Sequence, residues 1–410
     1  MLESRDRPTR VLYRDAALAD GRSDRLQIGV SILVEGDRIA WIRPTDAEED
    51  PGPTDRLETV DAGGATVVPG MVDGHSHLTL PGGSHWIDRI DDPPASALAT
   101  AARNAALMTQ AGIRWARDVG APIGDDPVDG RRRALSLGVR DRATGRAGWP
   151  HIRAAGTWIG GPESLGSGGV EVRDADELVA AVHAQLDDGA DFIKLYLDGA
   201  DPAVCPWSAD EIGRAVEAAH GRGARVTAHS GRIDGARNGV AGGVDAIEHG
   251  FELDDDVIAE MARRGTFLVS TLGVFRSWAT FGATTRIERF AGAAGRAAMA
   301  TRRERAEASV SAAHRAGVRI ATGSDFGGGS LRANQLAWEV EALVDAGLEP
   351  WEALRAATIR GGELLGEPDV GVLRDGGPAD FVLVHGDPLS DPAALWRVWR
   401  VSWAPAPDVS

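Results

Sequence analysis

The first 70 residues alternate short apolar runs with turn residues, a pattern that is typical of a β-sheet. Residues 30–34 and 38–42 are rich in β-branched and aromatic side chains, which favour strands. Between them, Glu35-Gly36-Asp37 predicts a hairpin turn. A further strand is predicted to end at residues 66–70, where the pattern changes.

From residue 70 to residue 365, short apolar segments alternate with longer stretches rich in Ala, Arg and Glu, which predicts strands alternating with helices. The eight predicted strands lie at residues 71–73, 115–119, 151–155, 192–196, 225–229, 244–249, 266–270 and 319–323. The clearest predicted helices lie at residues 96–111, 175–188, 209–220 and 301–316. Each is followed by a glycine suited to a C-terminal cap, namely Gly112, Gly189, Gly221 and Gly317.

This alternation favours the α/β class and a closed (β/α)8 TIM-type barrel. The alternative is a doubly wound open sheet, which would carry a glycine-rich phosphate loop after its first strand. The sequence has no such loop there. Residues 378–384 and 396–401 return to a strand pattern. We therefore predict a barrel over residues 69–367 and a small β-sandwich-like domain in which residues 1–68 and 368–410 meet.

Composition narrows the range of functions. The 410-residue chain has a formal net charge of −17, which disfavours nucleic-acid binding because phosphate backbones are repelled. No apolar run approaches the roughly 18 residues that a membrane span requires, and the charged N-terminus shows no secretory signal. Cys205 is the single cysteine, so an internal disulfide is excluded and a reducing compartment is expected. These features predict a cytoplasmic protein that acts on a small molecule and leave a homo-oligomeric state open.

Several polar residues coincide with the predicted strand ends. His75 and His77 directly follow the first barrel strand, and a spacing of two on an extended segment points both rings to one side. The others come at or just after the fourth, fifth, sixth and eighth strands: Lys194, His229, His249 and Asp325. A single histidine is more often structural than a ligand, but these residues are all expected at the C-terminal end of the barrel, where such folds place their sites.

Lys194 is notable for its residue type. It is the only lysine among the 44 Lys and Arg residues of the chain. Unlike a guanidinium group, a buried amine can lose its proton and react. A lysine whose head reaches solvent is the structural alternative.

The chain resembles the amidohydrolase superfamily, in the branch with imidazolonepropionase-like and prolidase-like (Xaa-Pro dipeptidase-type) enzymes. The segments that carry the resemblance are residues 69–77, 112–120, 192–196, 226–229, 247–250, 323–325, 353–358 and 376–380. The resemblance extends over nearly the whole chain.

This resemblance implies a binuclear metal centre. His75, His77 and Asp325 would hold a buried divalent ion, and His229 and His249 a more exposed one. Lys194, converted by CO₂ to a carbamate, would bridge the two ions, for which zinc is favoured. A hydroxide that bridges the ions would attack an amide-type C–N bond in an N-acyl amino acid, dipeptide, cyclic amide, urea or carbamate. Asp325 would be the general base and acid.

Three further residues are candidate substrate contacts: His85 after the first strand, Tyr196 two residues beyond Lys194, and Arg232 as a partner for a substrate carboxylate. Gly231 stands where many relatives carry an aromatic residue or histidine, which puts dipeptide specificity in question. Two alternative functions are a mononuclear aminohydrolase (deaminase or imidazolone-type ring hydrolase) and a non-catalytic metal-binding protein. Lys194 disfavours the former, because mononuclear relatives need no bridging lysine.

Overall fold

The structure is a computed structural model that describes residues 10–52, 57–83, 89–146, 148–165, 168–281, 285–287 and 290–402. The first strands are β1 (Arg10–Leu18), β2 (Gln27–Glu35), β3 (Arg38–Pro44), β4 (Leu57–Asp61) and β5 (Ala65–Pro69). The central strands are β6 (Met71–Ser76), β7 (Ile113–Asp118), β8 (Ile123–Asp125), β9 (Arg132–Ala134), β10 (His151–Ala154), β11 (Ile159–Gly160), β12 (Val170–Glu171), β13 (Phe192–Tyr196), β14 (Arg225–Ser230), β15 (Ala246–His249), β16 (Phe267–Ser270) and β17 (Ile320–Thr322). The last strands are β18 (Phe381–His385) and β19 (Val398–Val401).

Helices follow most of the central strands. They are α1 (Pro94–Gln110), α2 (Leu135–Ala143), α3 (Ala175–Asp187), α4 (Ala209–His220), α5 (Ile233–Ala241), α6 (Asp255–Arg264), α7 (Gly273–Phe281), α8 (Gly292–Arg315), α9 (Leu336–Asp345), α10 (Pro350–Ala356) and α11 (Ile359–Leu365). Among the described residues, no helix combines the length and apolar character that crossing a membrane requires.

Both terminal segments contribute to one sheet. In the part of the chain that the structure describes, its order is β19-β18-β5-β1-β2-β3, and β4 pairs with β1. The antiparallel pairing of β18 with β5 places Phe381 opposite Pro69. Tyr13 of β1 packs edge-on against Phe381 with ring centroids 5.1 Å apart, so the two ends of the chain share a core.

Most of the central strands form two parallel sheets, β6-β7-β10 and β11-β13-β14-β15-β16-β17 with β12 beside β11, while β8 and β9 form a separate antiparallel pair. Hydrogen bonds join the sheets at both pairs of edges. Asp325 N donates to His75 O at 2.8 Å, and His77 N donates to Phe326 O at 3.1 Å. At the other side, Asp191 N donates to Ala154 O at 2.8 Å. The C-terminal ends of the first and last parallel strands therefore lie side by side.

Local structure departs from the predicted elements in three places. The loop predicted after the seventh barrel strand contains α7, whose Val274 and Phe275 are buried, and α8 begins nine residues before the predicted residue 301. By contrast, α4 ends at the predicted glycine: Gly221 is its C-cap residue, and the left-handed residue is Gly223 (φ 76°), two positions later. The strand predicted from residue 396 begins at Val398, because a 3₁₀ helix (Pro392–Trp396), capped by the Asp391 side chain, precedes it.

Candidate active site

The predicted metal ligands lie around one cavity at the C-terminal ends of the parallel strands. Its volume is about 440 Å³. The cavity-lining residues include His75, His77, Lys194, His229, His249 and Asp325. Lys194 lies in the middle of β13 and is 2% exposed. In the register of the sheet, Tyr196 is opposite His229 and Ser230 is opposite His249, so neighbouring strands bring these side chains to one level.

The histidines and Asp325 are within reach of a common ion. Asp325 Oδ1 lies 3.3 Å from His75 Nε2 and 3.6 Å from His77 Nε2. Candidate ligand atoms of His75, His249 and Asp325 all lie within 4.8 Å of one another. The His229 and His249 ring centroids are 4.5 Å apart. Nitrogen and carboxylate donors at these separations suit a divalent transition metal.

Three of the rings are oriented by hydrogen bonds to neighbouring groups. His77 Nδ1 lies 2.8 Å from Gly120 O, and His249 Nδ1 lies 2.8 Å from Thr271 Oγ1. His229 Nε2 lies 3.2 Å from Asp198 Oδ2. Each contact occupies one ring nitrogen and leaves the other available as a ligand, as is usual for histidines that bind metals.

Electrostatics favours the protonation states that metal binding needs. Burial, followed by the charge of Lys194, lowers the pKa of His75 to about 3. Burial also lowers the pKa of His249 well below its usual value. Burial opposes ionisation of Asp325, but interactions with His75 and His77 outweigh it and hold the pKa of that carboxyl well below its usual range. These shifts favour neutral imidazoles at His75 and His249 and a carboxylate at Asp325, the forms that bind a metal ion.

Two of the candidate ligands have an unusual backbone. Among the described residues, Asp15, Glu163, His249 and Asp325 are the non-glycine residues with positive φ. The values are 70° at His249 and 54° at Asp325. A left-handed residue of this kind costs about 1–3 kcal/mol, and such residues cluster at functional sites. Two of these four left-handed residues thus lie where the candidate ligands converge.

Comparison with known proteins identifies the family. Residues 66–401 match the amidohydrolase family. The chain belongs to the amidohydrolase family. It is 33% identical over 388 residues to an uncharacterised protein of Mycobacterium tuberculosis, covering 91% of this chain and 93% of that protein.

Two further relatives agree with this assignment. The chain is 28% identical over 395 residues to imidazolonepropionase of Anaeromyxobacter dehalogenans, covering 87% of this chain and 84% of that enzyme. The crystal structure of a Xaa-Pro dipeptidase with bound methionine is similar with a TM-score of 0.82 and 25% identity, covering 96% of this chain and 98% of that one. The resemblance predicted from the sequence motifs is thereby confirmed.

Glu248 is a residue of this amidohydrolase site that sequence analysis missed. It is fully buried beside Lys194, with its Oε2 in contact with the lysine Nζ. Thr227 Oγ1 donates to Glu248 Oε1 at 2.9 Å, and Arg117 Nη1 lies 3.7 Å from the same oxygen. Alternation along β15 would put His249 and Glu248 on opposite faces, but the left-handed φ of His249 ends the strand and brings both toward the interior. The available signal was a carboxylate within an apolar strand segment.

Asp198 was also missed. In addition to its contact with His229, its carboxylate accepts from Gly231 N at 3.2 Å. It therefore connects the loop after β13 to the loop after β14 and fixes the orientation of the His229 ring. The sequence signal was an acidic residue four positions beyond Lys194.

The predicted substrate contacts have different surroundings. The Tyr196 ring stacks on His229 with a centroid distance of 3.9 Å. Arg232 lines the cavity but forms an ion pair with Glu252 at 2.7 Å. His85 lies outside the described residues. The apolar part of the cavity wall is formed by Leu80, Trp158, Leu165, Phe251, Val274 and Trp278.

Proposed function

We propose that this amidohydrolase is a metal-dependent hydrolase that cleaves an amide-type C–N bond in a small molecule. The substrate class comprises N-acyl amino acids, dipeptides, cyclic amides, ureas and carbamates. The observation that carries the proposal is the convergence of four histidines, Asp325 and Lys194 on one cavity. The similarity to imidazolonepropionase and to a Xaa-Pro dipeptidase supports this reaction class.

The proposal includes the architecture that presents the site. The hydrogen bonds between both pairs of sheet edges support closure of eight parallel strands into a (β/α)8 barrel over residues 69–367. The shared sheet of β1–β5, β18 and β19 supports a small composite domain of residues 1–68 and 368–410. The single cysteine supports a reducing compartment such as the cytoplasm.

The donor set fits a binuclear centre. His75, His77 and Asp325 would hold one ion, His229 and His249 the other, and carbamylated Lys194 would bridge them. Burial lowers the pKa of the Lys194 amine well below its usual value, so the amine is available in the neutral form that adds CO₂. When bound, two divalent cations, most simply zinc, would supply a nucleophilic hydroxide at neutral pH and polarise the scissile carbonyl.

Asp325 is the proton-transfer residue of the proposed reaction. Its carboxylate is ionised and faces the cavity, so it can accept a proton from the attacking water and return it to the leaving nitrogen. Gly120 O, Thr271 and Asp198 hold the imidazoles in place during these steps. The Tyr196 ring covers one face of His229 and limits its movement.

A hydrolysis screen of zinc-loaded and manganese-loaded protein tests the proposal. Acyl amino acids, dipeptides, hydantoin-like rings and carbamates are the substrates, with Lys194→Ala and Asp325→Asn as controls. We expect turnover of at least one class by the wild type and its loss in both variants. Turnover that survives in Asp325→Asn would contradict the assigned proton transfer.

A mononuclear aminohydrolase is the second candidate. It is favoured by the compact group of His75, His249 and Asp325, whose ligand atoms lie within 4.8 Å and could hold one ion without Lys194. Metal analysis distinguishes the two: two ions per chain in the wild type support the binuclear enzyme. One ion per chain, unchanged in Lys194→Ala, supports the mononuclear one.

A further inference from the structure

The space beside Gly231 suggests how a substrate is selected. Gly231 follows β14 directly, and its backbone is not in the left-handed region that favours glycine. A Cβ atom at this position would lie 3.0 Å from Asp198 Oδ2 and 3.2 Å from Arg302 Nη2. Glycine is therefore favoured here by the limited space beside these two side chains and not by backbone conformation. The side chain that occupies this region comes instead from another part of the chain.

Arg302 is that side chain. It projects from α8 into the wall of the metal-site cavity. Its guanidinium carbon is 5.1 Å from the centroid of Phe251, whose ring is 5.3 Å from His249. A guanidinium group has five N–H donors in a fixed plane, and this planar fork matches the two oxygens of a carboxylate.

Arg232, the cation predicted from sequence to bind a substrate carboxylate, forms an ion pair with Glu252. Glu252 Oε1 lies 2.7 Å from Arg232 Nη1 and 3.2 Å from Arg305 Nη1. The Arg232 side chain is 41% exposed. Arg232 is thus part of an ion-pair network at the rim, whose geometry a substrate would have to disrupt.

Part of the cavity wall is apolar and aromatic. Phe251, Val274, Trp158 and Trp278 line it. Behind them, Phe275 packs against Phe251 at 5.0 Å and against Trp278 at 5.4 Å. A cavity of about 440 Å³ that has apolar side chains and the Arg302 guanidinium in its wall fits an amphipathic small molecule.

We propose that Arg302 is the specificity-determining residue that binds the carboxylate of an amide substrate, in the space left open by Gly231, while the aromatic wall receives an apolar substituent. This inference rests on the proposed hydrolase function and specifies its substrate as an N-acyl amino acid with an apolar side chain. The scissile amide is then held between the carboxylate contact and the metal ligands.

A matched pair of compounds tests the carboxylate contact. N-benzoyl-L-phenylalanine and N-benzoyl-L-phenylalaninol share the amide bond and differ in the carboxylate, which is a hydroxymethyl group in the latter. With zinc-loaded wild type we expect kcat/KM to favour the acid by about 10- to 100-fold, the usual effect of hydrogen bonds to a charged group. Arg302→Met should remove that preference by raising KM for the acid, and Arg302→Lys should retain part of it.

Two further variants test whether the preference for the acid comes from Arg302. Arg305→Met removes an exposed guanidinium from the same helix and should leave the acid-to-alcohol ratio at the wild-type value. Gly231→Ala should lower kcat/KM for the acid more than for the alcohol, because the alanine Cβ would press on Arg302 Nη2. A wild-type ratio near one, or a ratio unchanged in Arg302→Met, would overturn the inference.

Failure of the hydrolase proposal has a different signature. If zinc-loaded wild type hydrolyses neither compound, calorimetric titration with N-benzoyl-L-phenylalanine still measures the carboxylate contact. Binding that is at least about 10-fold weaker in Arg302→Met than in the wild type would support Arg302 as the anchor. Equal binding in the two proteins, or no binding to the wild type, would refute it.

Discussion

Lys194 is surrounded so that its amine is neutral and confined. It is 2% exposed, contacts Glu248, and lies within a cavity lined by histidines. An unpaired buried ammonium would be costly, and burial instead lowers the pKa of the amine well below its usual value. A neutral amine next to metal ligands is the form that a carbamate requires. A substitution that keeps the positive charge but removes the amine should therefore abolish the proposed role of Lys194 as a carbamate.

We predict that Lys194→Arg loses one metal ion and most hydrolytic activity. A guanidinium group cannot form the carbamate, and its fixed charge would instead pair with Glu248. The expected decrease in kcat/KM is about 100-fold or more. Metal content by mass spectrometry and hydrolysis rates measure it, and circular dichroism checks the fold. A variant that keeps two ions and wild-type rates would show that Lys194 does not bridge the metals.

Glu339 is a buried carboxyl group outside the lining of the candidate metal site. Its carboxyl is fully buried in α9, accepts from Gly273 N at 2.6 Å and lies 2.5 Å from Ser270 Oγ. Burial raises its pKa to about 7, although these hydrogen bonds oppose the shift. Between pH 4.5 and pH 7 the folded state thus keeps a proton that the unfolded state has lost. Stability contributed by this group falls as pH rises through that window.

We predict that Glu339→Gln abolishes the fall in unfolding free energy that deprotonation of Glu339 causes as pH rises. A glutamine reproduces the neutral carboxyl, with its oxygen accepting from Gly273 and its amide donating to Ser270. Relative to the variant, the wild type should lose up to about 3 kcal/mol of unfolding free energy between pH 5 and pH 8. Urea unfolding of both proteins at the two pH values measures the difference. A variant that is less stable than the wild type at pH 8 would contradict the assignment.

A buried ion pair connects the central strands to the sheet that the two terminal segments form. Arg114 of β7 is fully buried, and its Nε donates to Asp380 Oδ1 at 2.7 Å. Asp380 immediately precedes β18, and its carbonyl accepts from Gly70 N between β5 and β6 at 2.9 Å. A Cβ on Gly70 would lie 2.6 Å from Arg114 Cγ. Glycine at this position therefore leaves room for the Arg114 side chain to reach Asp380.

We predict that Arg114→Met destabilises the protein by about 3–5 kcal/mol, since it leaves the Asp380 carboxylate without its buried partner. Arg214→Met is the matched control: its pair with Asp176 on α3 has side-chain exposures of 54% and 86% and should matter by less than about 1 kcal/mol. Urea unfolding gives both values. Similar losses in the two variants would mean that the Arg114–Asp380 pair does not couple the two sheets.

The sequence pattern predicted elements well where local signals agree. For α4, the helix predicted over residues 209–220 matches Ala209–His220, which the structure shows to begin with a Ser208–Glu211 capping box. The candidate metal ligands were predicted because strand ends and polar residue types coincide, and these side chains line one cavity. Glu248 was missed because the backbone turn at His249 breaks the alternation of β15, and α7 was missed because its helix is stabilised from a distance by Glu339. Such long-range contacts leave no local signal.

The whole molecule brings its two ends together around the central strands. Antiparallel pairing of β18 with β5, whose residues are more than 300 positions apart, joins the C-terminal segment to the strand that directly precedes β6. The candidate metal ligands come from β6, β13, β14, β15 and the segment after β17. An ion held by these side chains would therefore bind only the folded arrangement, and metal binding should stabilise the entire fold.

We predict that saturating zinc raises the Tm of the apoprotein by several degrees. A ligand present at 100 times its Kd stabilises the folded state by about 2.7 kcal/mol if it does not bind the unfolded chain. His75→Ala should abolish the shift, because His75 lies 3.3 Å from Asp325 in the centre of the donor set. His183→Ala is the control: His183 lies on α3, outside the cavity lining, and its variant should shift as the wild type does. Calorimetric scans of the three proteins with and without zinc provide the measurement, and an equal shift in His75→Ala would place the stabilising ion elsewhere.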